Sequence, residues 1–361
     1  MSEQVGGMKF INSDQVGDYV SVTLPSNQGP GEDIPLHYIE AGVGEPLLLI
    51  HSIGQSLFTW RRVFAELSDN YRVIALDLPG HGYSARPETL AYSMDEMALV
   101  LKMFLDAKGI ESTHLVAFSM GAMYMLRLLS LYPEYCANCI AINPGGLTDE
   151  MPPLIHRIAS PVRSVFARNI FSAGDVKKLL EDCVLDRKQI DDYVTQQYYP
   201  PLSDGLSREM LMYALRNFDM DIVAEGLSPV EHEVLVLWSK EDPWHPPSGS
   251  VYFQGILRAG RYYLVKRAGH LMQEENPDKL LEIIFSYIPP AHPSYNVYRY
   301  TEEYRRLEQE YYQQQLIDRQ FADEQQRMDA EQYAEGRYID SHYTEPSIPD
   351  PGADPAREPN A

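Results

Sequence analysis

Four short runs with apolar centres constrain this chain most: PLLLI (46–50), YRVIALDL (71–78), THLVAF (113–118) and CIAIN (139–143). Apolar residues without alternation over so short a stretch suit a strand buried on both faces. Between them, FTWRRVFAELSD (58–69) and MDEMALVLKMFLDAKG (94–109) carry apolar residues at helical spacing, and Gly109 stands where the second helix should stop. Strand, helix, strand, repeated, predicts an α/β fold: a mostly parallel central sheet with helices on both faces. DYVSVTL (18–24) and IPLHYIEAG (34–42) read as a leading pair of strands joined by the loop NQGPGED.

The alternation breaks after residue 150. Residues 151–228 contain helix-like stretches, GDVKKLLEDCVL and SREMLMYALRNF, and no convincing strand. Strand character returns in HEVLVLWS and RYYLVKRAG, and PDKLLEIIFSYI supplies a last helix. The chain thus reads as an α/β core over 18–150 and 229–290, interrupted by a helical insertion over 151–228 expected to form a lid. Residues 291–345 make an acidic extension rich in Glu, Gln, Tyr and Arg, expected to be helical. Its stripe of Tyr304, Leu307 and Tyr311 does not continue as a heptad, so packing on the body is expected rather than a zipper. A protein partner for this extension stays open. The Pro-rich stretch 346–361 is expected to be disordered.

The formal charge of −22 argues against nucleic acid, whose phosphates need clustered Lys and Arg, and against docking on an anionic membrane. The first residues, MSEQVGGMKF, lack a basic start and an apolar h-region, and no apolar run approaches the ~20 residues that span a bilayer. A cytoplasmic protein without membrane insertion is expected. Cys136 and Cys139 form a C-x-x-C, but it enters a strand-like run rather than opening a helix, and zinc would need two further ligands. Buried thiols are expected, with no metal and no cofactor.

Chemistry concentrates at HLVAFSMGAMYM (114–125). Ser119 sits at a predicted strand-to-helix turn, with small residues, Ala117 and Gly121, two positions to either side. Such a turn presents the hydroxyl at the sheet's C-terminal edge and aims the Met120 N–H at any negative oxygen formed there. The alternative is that Ser119 merely caps the following helix. In LLLIHSIG (47–54), Ile53 offers a second backbone donor. His51 and His81, held in loops stiffened by Gly or Pro, read as structural. Asp242 follows one apolar strand in VLVLWSKEDPW and His270 follows the next in VKRAGHLMQEENP. The order Ser119, Asp242, His270 is that of one known triad arrangement. A serine hydroxyl attacks only when an imidazole takes its proton, and the imidazole needs a carboxylate to fix its tautomer.

Taken together, His51-Ser52-Ile53-Gly54, Asp77-Leu78-Pro79-Gly80-His81-Gly82-Tyr83-Ser84, Ala117-Phe118-Ser119-Met120-Gly121, Asp242-Pro243 and Gly269-His270 resemble the α/β-hydrolase superfamily. The likeness is to its lid-bearing branch of esterases, aminopeptidase-like enzymes and carbon–carbon bond hydrolases. It covers roughly residues 18–290. It implies Ser119 as nucleophile, His270 as base, Asp242 as orienting acid, and the Ile53 and Met120 backbone as an oxyanion hole. Three positions depart from the pattern. Ala117 and Ser52 each replace a usual Gly, and Ser239 stands where a Gly often opens the turn to the acid. Relatives that break carbon–halogen bonds or epoxides carry aspartate at the elbow, so Ser119 points to acyl transfer to water.

The expected substrate is a small hydrophobic or aromatic ester, thioester or amide, with Trp244 as a candidate substrate contact. Arg157 and Arg163 are candidate partners for a substrate carboxylate. A carbon–carbon bond hydrolase or acyltransferase on the same triad, or a non-catalytic binding protein, remain the alternatives.

Overall fold

The computed structural model describes residues 17–24, 31–145, 172–203, 205–227, 231–294, 297 and 306, with a short strand pair near the N-terminus. The chain divides into residues 1–304 and 305–361, and the fold and site described below belong to the first unit. Residues 146–171, which include the first part of the expected lid (151–171), lie outside the described residues, as does the extension and tail from 291 onward apart from 291–294, 297 and 306.

Strands β1 (Gln4–Val5) and β2 (Met8–Lys9) pair only with each other. The main sheet has eight strands. It opens with β3 (Asp18–Thr23), β4 (Asp33–Ala41), β5 (Pro46–Ile50) and β6 (Arg72–Leu76). It continues with β7 (Thr113–Phe118), β8 (Cys136–Ile142), β9 (Val234–Ser239) and β10 (Gly260–Val265). Their spatial order is β10-β9-β8-β7-β5-β6-β4-β3. The leading strands β3 and β4 are antiparallel to each other and β4 to β6; every other pairing is parallel. The mostly parallel sheet expected from the apolar runs is therefore observed.

Period-2 alternation sends each strand's side chains to opposite faces. Leu48, Ile50, Leu115, Ala117 and Val236 join one core, with Met97 and Leu101 of α2 (Met94–Ala107) and Met123 of α3 (Met120–Leu131). Leu47, Leu49, Val116, Phe118 and Leu237 join the other, with Val63 and Leu67 of α1 (Arg61–Ser68) and Leu280 and Ile284 of α10 (Pro277–Tyr287). Each such fully buried aliphatic contributes about 1.5–3 kcal/mol, which is why these strands carry no polar face. Helix α2 begins at a capping box between Ser93 and Glu96 and stops before Gly109, whose φ of +65° favours glycine.

Between β8 and β9 the described residues form four α-helices, a short 3-10 turn at Arg187–Gln189 and no strand. The α-helices are α4 (Ala173–Glu181), α5 (Asp192–Ser203), α6 (Gly205–Arg216) and α7 (Met220–Leu227). Two further helices follow β9: α8 (Gly249–Ile256) before β10, and the single turn α9 (Met272–Glu275) after it. Cys136 and Cys139 are buried free thiols on β8. Among the described residues no cluster could hold a metal ion, and no helix is long and apolar enough to cross a membrane.

The strand order reverses between β5 and β7. From β5 the chain steps to β6 on one side; it then crosses to β7 on the other side of β5 and continues outward through β8, β9 and β10. A crevice forms at such a switch point beyond the carboxyl ends of the strands. β5 ends there with His51, Ser52 and Ile53 following, and β7 ends there with Ser119.

Candidate active site

Ser119 has φ 52° and ψ −122°, a left-handed backbone that costs a non-glycine residue about 1–3 kcal/mol. The neighbouring strand holds it, because the Ser119 N–H donates to the Ile142 carbonyl at 2.8 Å. Gly121 is required: a Cβ there would lie 2.1 Å from the His51 carbonyl oxygen, so only glycine lets α3 start this close to the β5 loop. Ala117 sits buried opposite Ile50 and Ala141 in the sheet, and its single methyl is accommodated. Ser119 makes no side-chain capping bond to α3, which removes the helix-cap reading.

Its hydroxyl instead lies 3.2 Å from His270 Nε2, while His270 Nδ1 lies 2.7 Å from Asp242 Oδ2. With Nδ1–H donating to the carboxylate, Nε2 is left to accept from the serine. Asp242 Oδ1 accepts from the Trp244 and His245 N–H groups at 2.8 and 2.9 Å. Burial pushes the Asp242 carboxyl up, but His270 beside it and the donors around it outweigh this and hold it below its ordinary value. The group stays ionised at neutral pH.

The His270 ring is packed by Phe118 at 4.8 Å, by Trp244 stacked at 5.1 Å and by His245 at 5.0 Å. Its backbone is fixed too: the His270 N–H donates to the Cys183 carbonyl at 2.7 Å, and its carbonyl accepts from Asn143 Nδ2 at 2.8 Å.

The Met120 N–H donates to Ser52 Oγ at 3.3 Å, and Ser52 and Ile53 line the same crevice. Gly145 borders it, since a Cβ there would lie 3.0 Å from Ser119 Oγ, 3.4 Å from Met120 N and 3.2 Å from His245 Nε2. A cleft of about 650 Å³, including its open mouth, reaches His270, Ser52, Ile53 and Phe118 on the core side. Val176, Leu180, Tyr198, Leu202 and Leu211 of the helical insertion wall it opposite, and Trp244 lines it as well. None of the described lining residues is Asp, Glu, Lys or Arg.

A family profile described as the alpha/beta hydrolase fold matches residues 45–167. An uncharacterised hydrolase of Bacillus subtilis, YugF, is 27% identical over 253 residues, 70% of this chain and 92% of the relative. The 2-hydroxy-6-oxo-2,4-heptadienoate hydrolase of Pseudomonas putida is 23% identical over 272 residues, covering 72% and 93% of the two chains. A thermophilic esterase from Thermogutta terrifontis matches with a TM-score of 0.60 at 22% identity, over 74% of this chain and 96% of the esterase. This chain has the alpha/beta-hydrolase fold.

Within the alpha/beta-hydrolase fold seen here, sequence reasoning alone does not reach several residues around Ser119. Asn143, with φ 42°, donates to Ser239 Oγ and to the His270 carbonyl and accepts from the Ser239 N–H, tying together the ends of β8 and β9 and the histidine loop. This gives Ser239, out of pattern in the sequence, a definite partner. His245 is buried beside His270, with its Nδ1 unpartnered among the described residues. Glu275 bridges the insertion to the histidine loop, accepting from the Leu185 and Gly269 N–H groups at 2.6 and 2.5 Å. Arg157 and Arg163 lie outside the described residues.

One turn past His270, buried Glu274 pairs with Arg61 and accepts from the Tyr198 hydroxyl at 2.8 Å, fastening α5 to α9. Glu274→Ala leaves the Arg61 guanidinium buried without this partner, and the expected loss is about 3–5 kcal/mol of stability. Urea denaturation checks this; a loss below 1 kcal/mol would mean the pair contributes little.

His51 and His81 serve the loops. His51 Nδ1–H donates to the Ser52 carbonyl at 2.7 Å and its Nε2 accepts from the Leu78 N–H at 3.0 Å. His81 Nδ1–H donates to the Pro79 carbonyl at 2.9 Å. Asp77 accepts from His37 Nδ1 and from the Leu57 and Tyr83 N–H groups, and Gly82 leaves room for it: a Cβ would lie 2.1 Å from the carboxylate.

Burial, and then the neighbouring His51, hold the His81 imidazole at about 3; burial, and then His270, hold His245 at about 4. Both lie below the ordinary value of 6.5. Above that value the folded and unfolded forms are both neutral. As the pH falls below it, the unfolded chain takes protons that the fold refuses, costing about 1.4 kcal/mol per pH unit for each group. The melting temperature is therefore expected to fall steadily below pH 6.5, and less steeply in His81→Asn. Thermal melts across pH 7 to 4.5 measure this, and parallel profiles would rule out His81 as a source.

Proposed function

We propose that this chain is a serine hydrolase that cleaves an ester, thioester or amide of a small hydrophobic or aromatic substrate through an acyl-Ser119 intermediate. The observation that carries this reading is the chain of contacts from Ser119 Oγ to His270 Nε2 and from His270 Nδ1 to Asp242, set against a cleft whose described lining is uncharged. Ser119 Oγ attacks the carbonyl carbon as His270 Nε2 takes its proton, while Asp242 holds the imidazole and steadies its positive charge. The carbonyl oxygen turns its new charge toward the Met120 and Ile53 N–H groups, where one donor is worth about 2.7–4 kcal/mol of barrier. His270 then protonates the leaving group. Water, activated by the same imidazole, returns the free acid and Ser119. Trp244, stacked on His270 and lining the cleft, would contact the bound substrate.

A second reading, hydrolysis of a carbon–carbon bond on the same residues, draws on the Pseudomonas putida relative, whose named substrate is a hydroxy-oxo-dienoate. That substrate carries a carboxylate, and the described cleft lining offers no cation for it. A panel of neutral p-nitrophenyl esters and acyl thioesters, run beside a carboxylate-bearing hydroxy-oxo-dienoate, separates the two. The acyl reading expects turnover of the neutral panel, rising with acyl size until the cleft is filled. Turnover confined to the dienoate would replace it with the second reading.

A further inference from the structure

Ser52 follows His51 at a position where the resembled superfamily commonly has glycine. The side chain this adds is buried and lines the cleft. Its Oγ accepts the Met120 N–H at 3.3 Å, and Met120 is a donor the acyl reading assigns to the oxyanion. A hydroxyl that receives a hydrogen bond still has its own proton to give, and no acceptor takes the Ser52 proton among the described residues. The Ser52 backbone is held firmly, its carbonyl accepting from His51 Nδ1 at 2.7 Å and from the Gln55 N–H at 3.3 Å. The hydroxyl can therefore rotate about χ1 but not drift away with the loop.

We propose that the Ser52 hydroxyl is a third donor to the oxyanion, acting from a side chain beside the two backbone N–H groups; this rests on the acyl-Ser119 reading above. An oxygen about 2.7–3.1 Å from Met120 N, the range that productive donors require, can stand at hydrogen-bonding distance from a hydroxyl 3.3 Å from the same nitrogen. The three atoms then close a triangle without moving the backbone. In the resting site, Ser52 Oγ keeps the Met120 N–H from being left bare. When the tetrahedral oxyanion forms, the N–H turns to the stronger acceptor and the hydroxyl donates to it from the side. Gly145, which bears no side chain against Ser119 Oγ and Met120 N, leaves this space open. No proton changes owner, so Ser52 stabilises charge and performs no acid–base step.

The test compares wild type with Ser52→Ala, Ser52→Gly and Ser52→Thr, using p-nitrophenyl butyrate turnover and the rate at which a fluorophosphonate labels Ser119. Ser52→Ala and Ser52→Gly are expected to lower kcat about 100-fold with KM within about twofold, as for loss of one oxyanion donor. Labelling should slow in parallel, and Ser52→Thr, which keeps a hydroxyl, should recover most of both rates. Thermal melts identify any variant whose loss is one of folding, and each rate is read only on variants that melt like wild type. Wild-type rates in Ser52→Gly or Ser52→Ala overturn the third donor, and faster rates would show that the hydroxyl blocks the hole. A wild type that takes no label at Ser119 fails the acyl reading itself, and this inference falls with it. Labelling of wild type and Ser52→Ala at equal rates overturns this inference alone.

Discussion

Ser119→Ala is expected to lower turnover of a neutral ester about 10⁵-fold or more while leaving the fold intact, the scale seen when the nucleophile of a serine triad is removed. The reason is local. The Oγ it deletes is the atom that His270 Nε2 faces at 3.2 Å, and it caps nothing, so α3 loses no hydrogen bond. The left-handed backbone at φ 52° persists with alanine, since the bond from the Ser119 N–H to the Ile142 carbonyl involves no side chain. Initial rates on p-nitrophenyl butyrate, with near-UV circular dichroism as the control for folding, measure the effect. A loss under tenfold in a folded variant would remove Ser119 from the reaction.

The second large effect is expected from Asp242→Asn, about 10⁴-fold in kcat with little change in KM. The structure dictates how the new amide must sit. Oδ1 of residue 242 accepts two backbone N–H groups, from Trp244 and His245, so the asparagine oxygen keeps that place and its NH₂ is turned toward His270 Nδ1. Nδ1 must then accept rather than donate, which moves the imidazole proton to Nε2. An Nε2–H cannot take a proton from Ser119. The loop should keep its shape, and a thermal midpoint close to wild type would accompany the loss. A kcat within tenfold of wild type would mean that Asp242 does not set the tautomer.

The sequence carries the fold far and the site only part of the way. The apolar runs mark β5 through β9 because a strand covered on both faces has no polar positions to interrupt it. Ser119, Asp242 and His270 are legible for a related reason: Ser119 directly follows β7, Asp242 lies three residues past β9 and His270 five past the edge strand β10, where a parallel sheet gathers its strand ends. What escapes depends on how loops fold back. His245 reaches the space beside Gly145 because the acid loop turns over β9, where Trp238 Nε1 donates to the His245 carbonyl. Asn143 is one residue past β8 and gains its role only when β9 and the histidine loop arrive beside it. The Cys183 carbonyl that takes the His270 N–H is a backbone group, which no residue type announces. Helix α8 begins with Gly249 and holds Gly255 in its last turn, a composition that hides a helix from propensity. Ser52 is visible as a departure from pattern, but only its contact with Met120 turns that departure into a function.

Intact-mass detection of fluorophosphonate labelling on wild type and Ser119→Ala, with peptide mapping of the adduct, tests whether Ser119 is an activated nucleophile. One adduct is expected on wild type, located on Ser119, and none on the variant. No adduct on folded wild type, or one that persists in Ser119→Ala, would contradict that role.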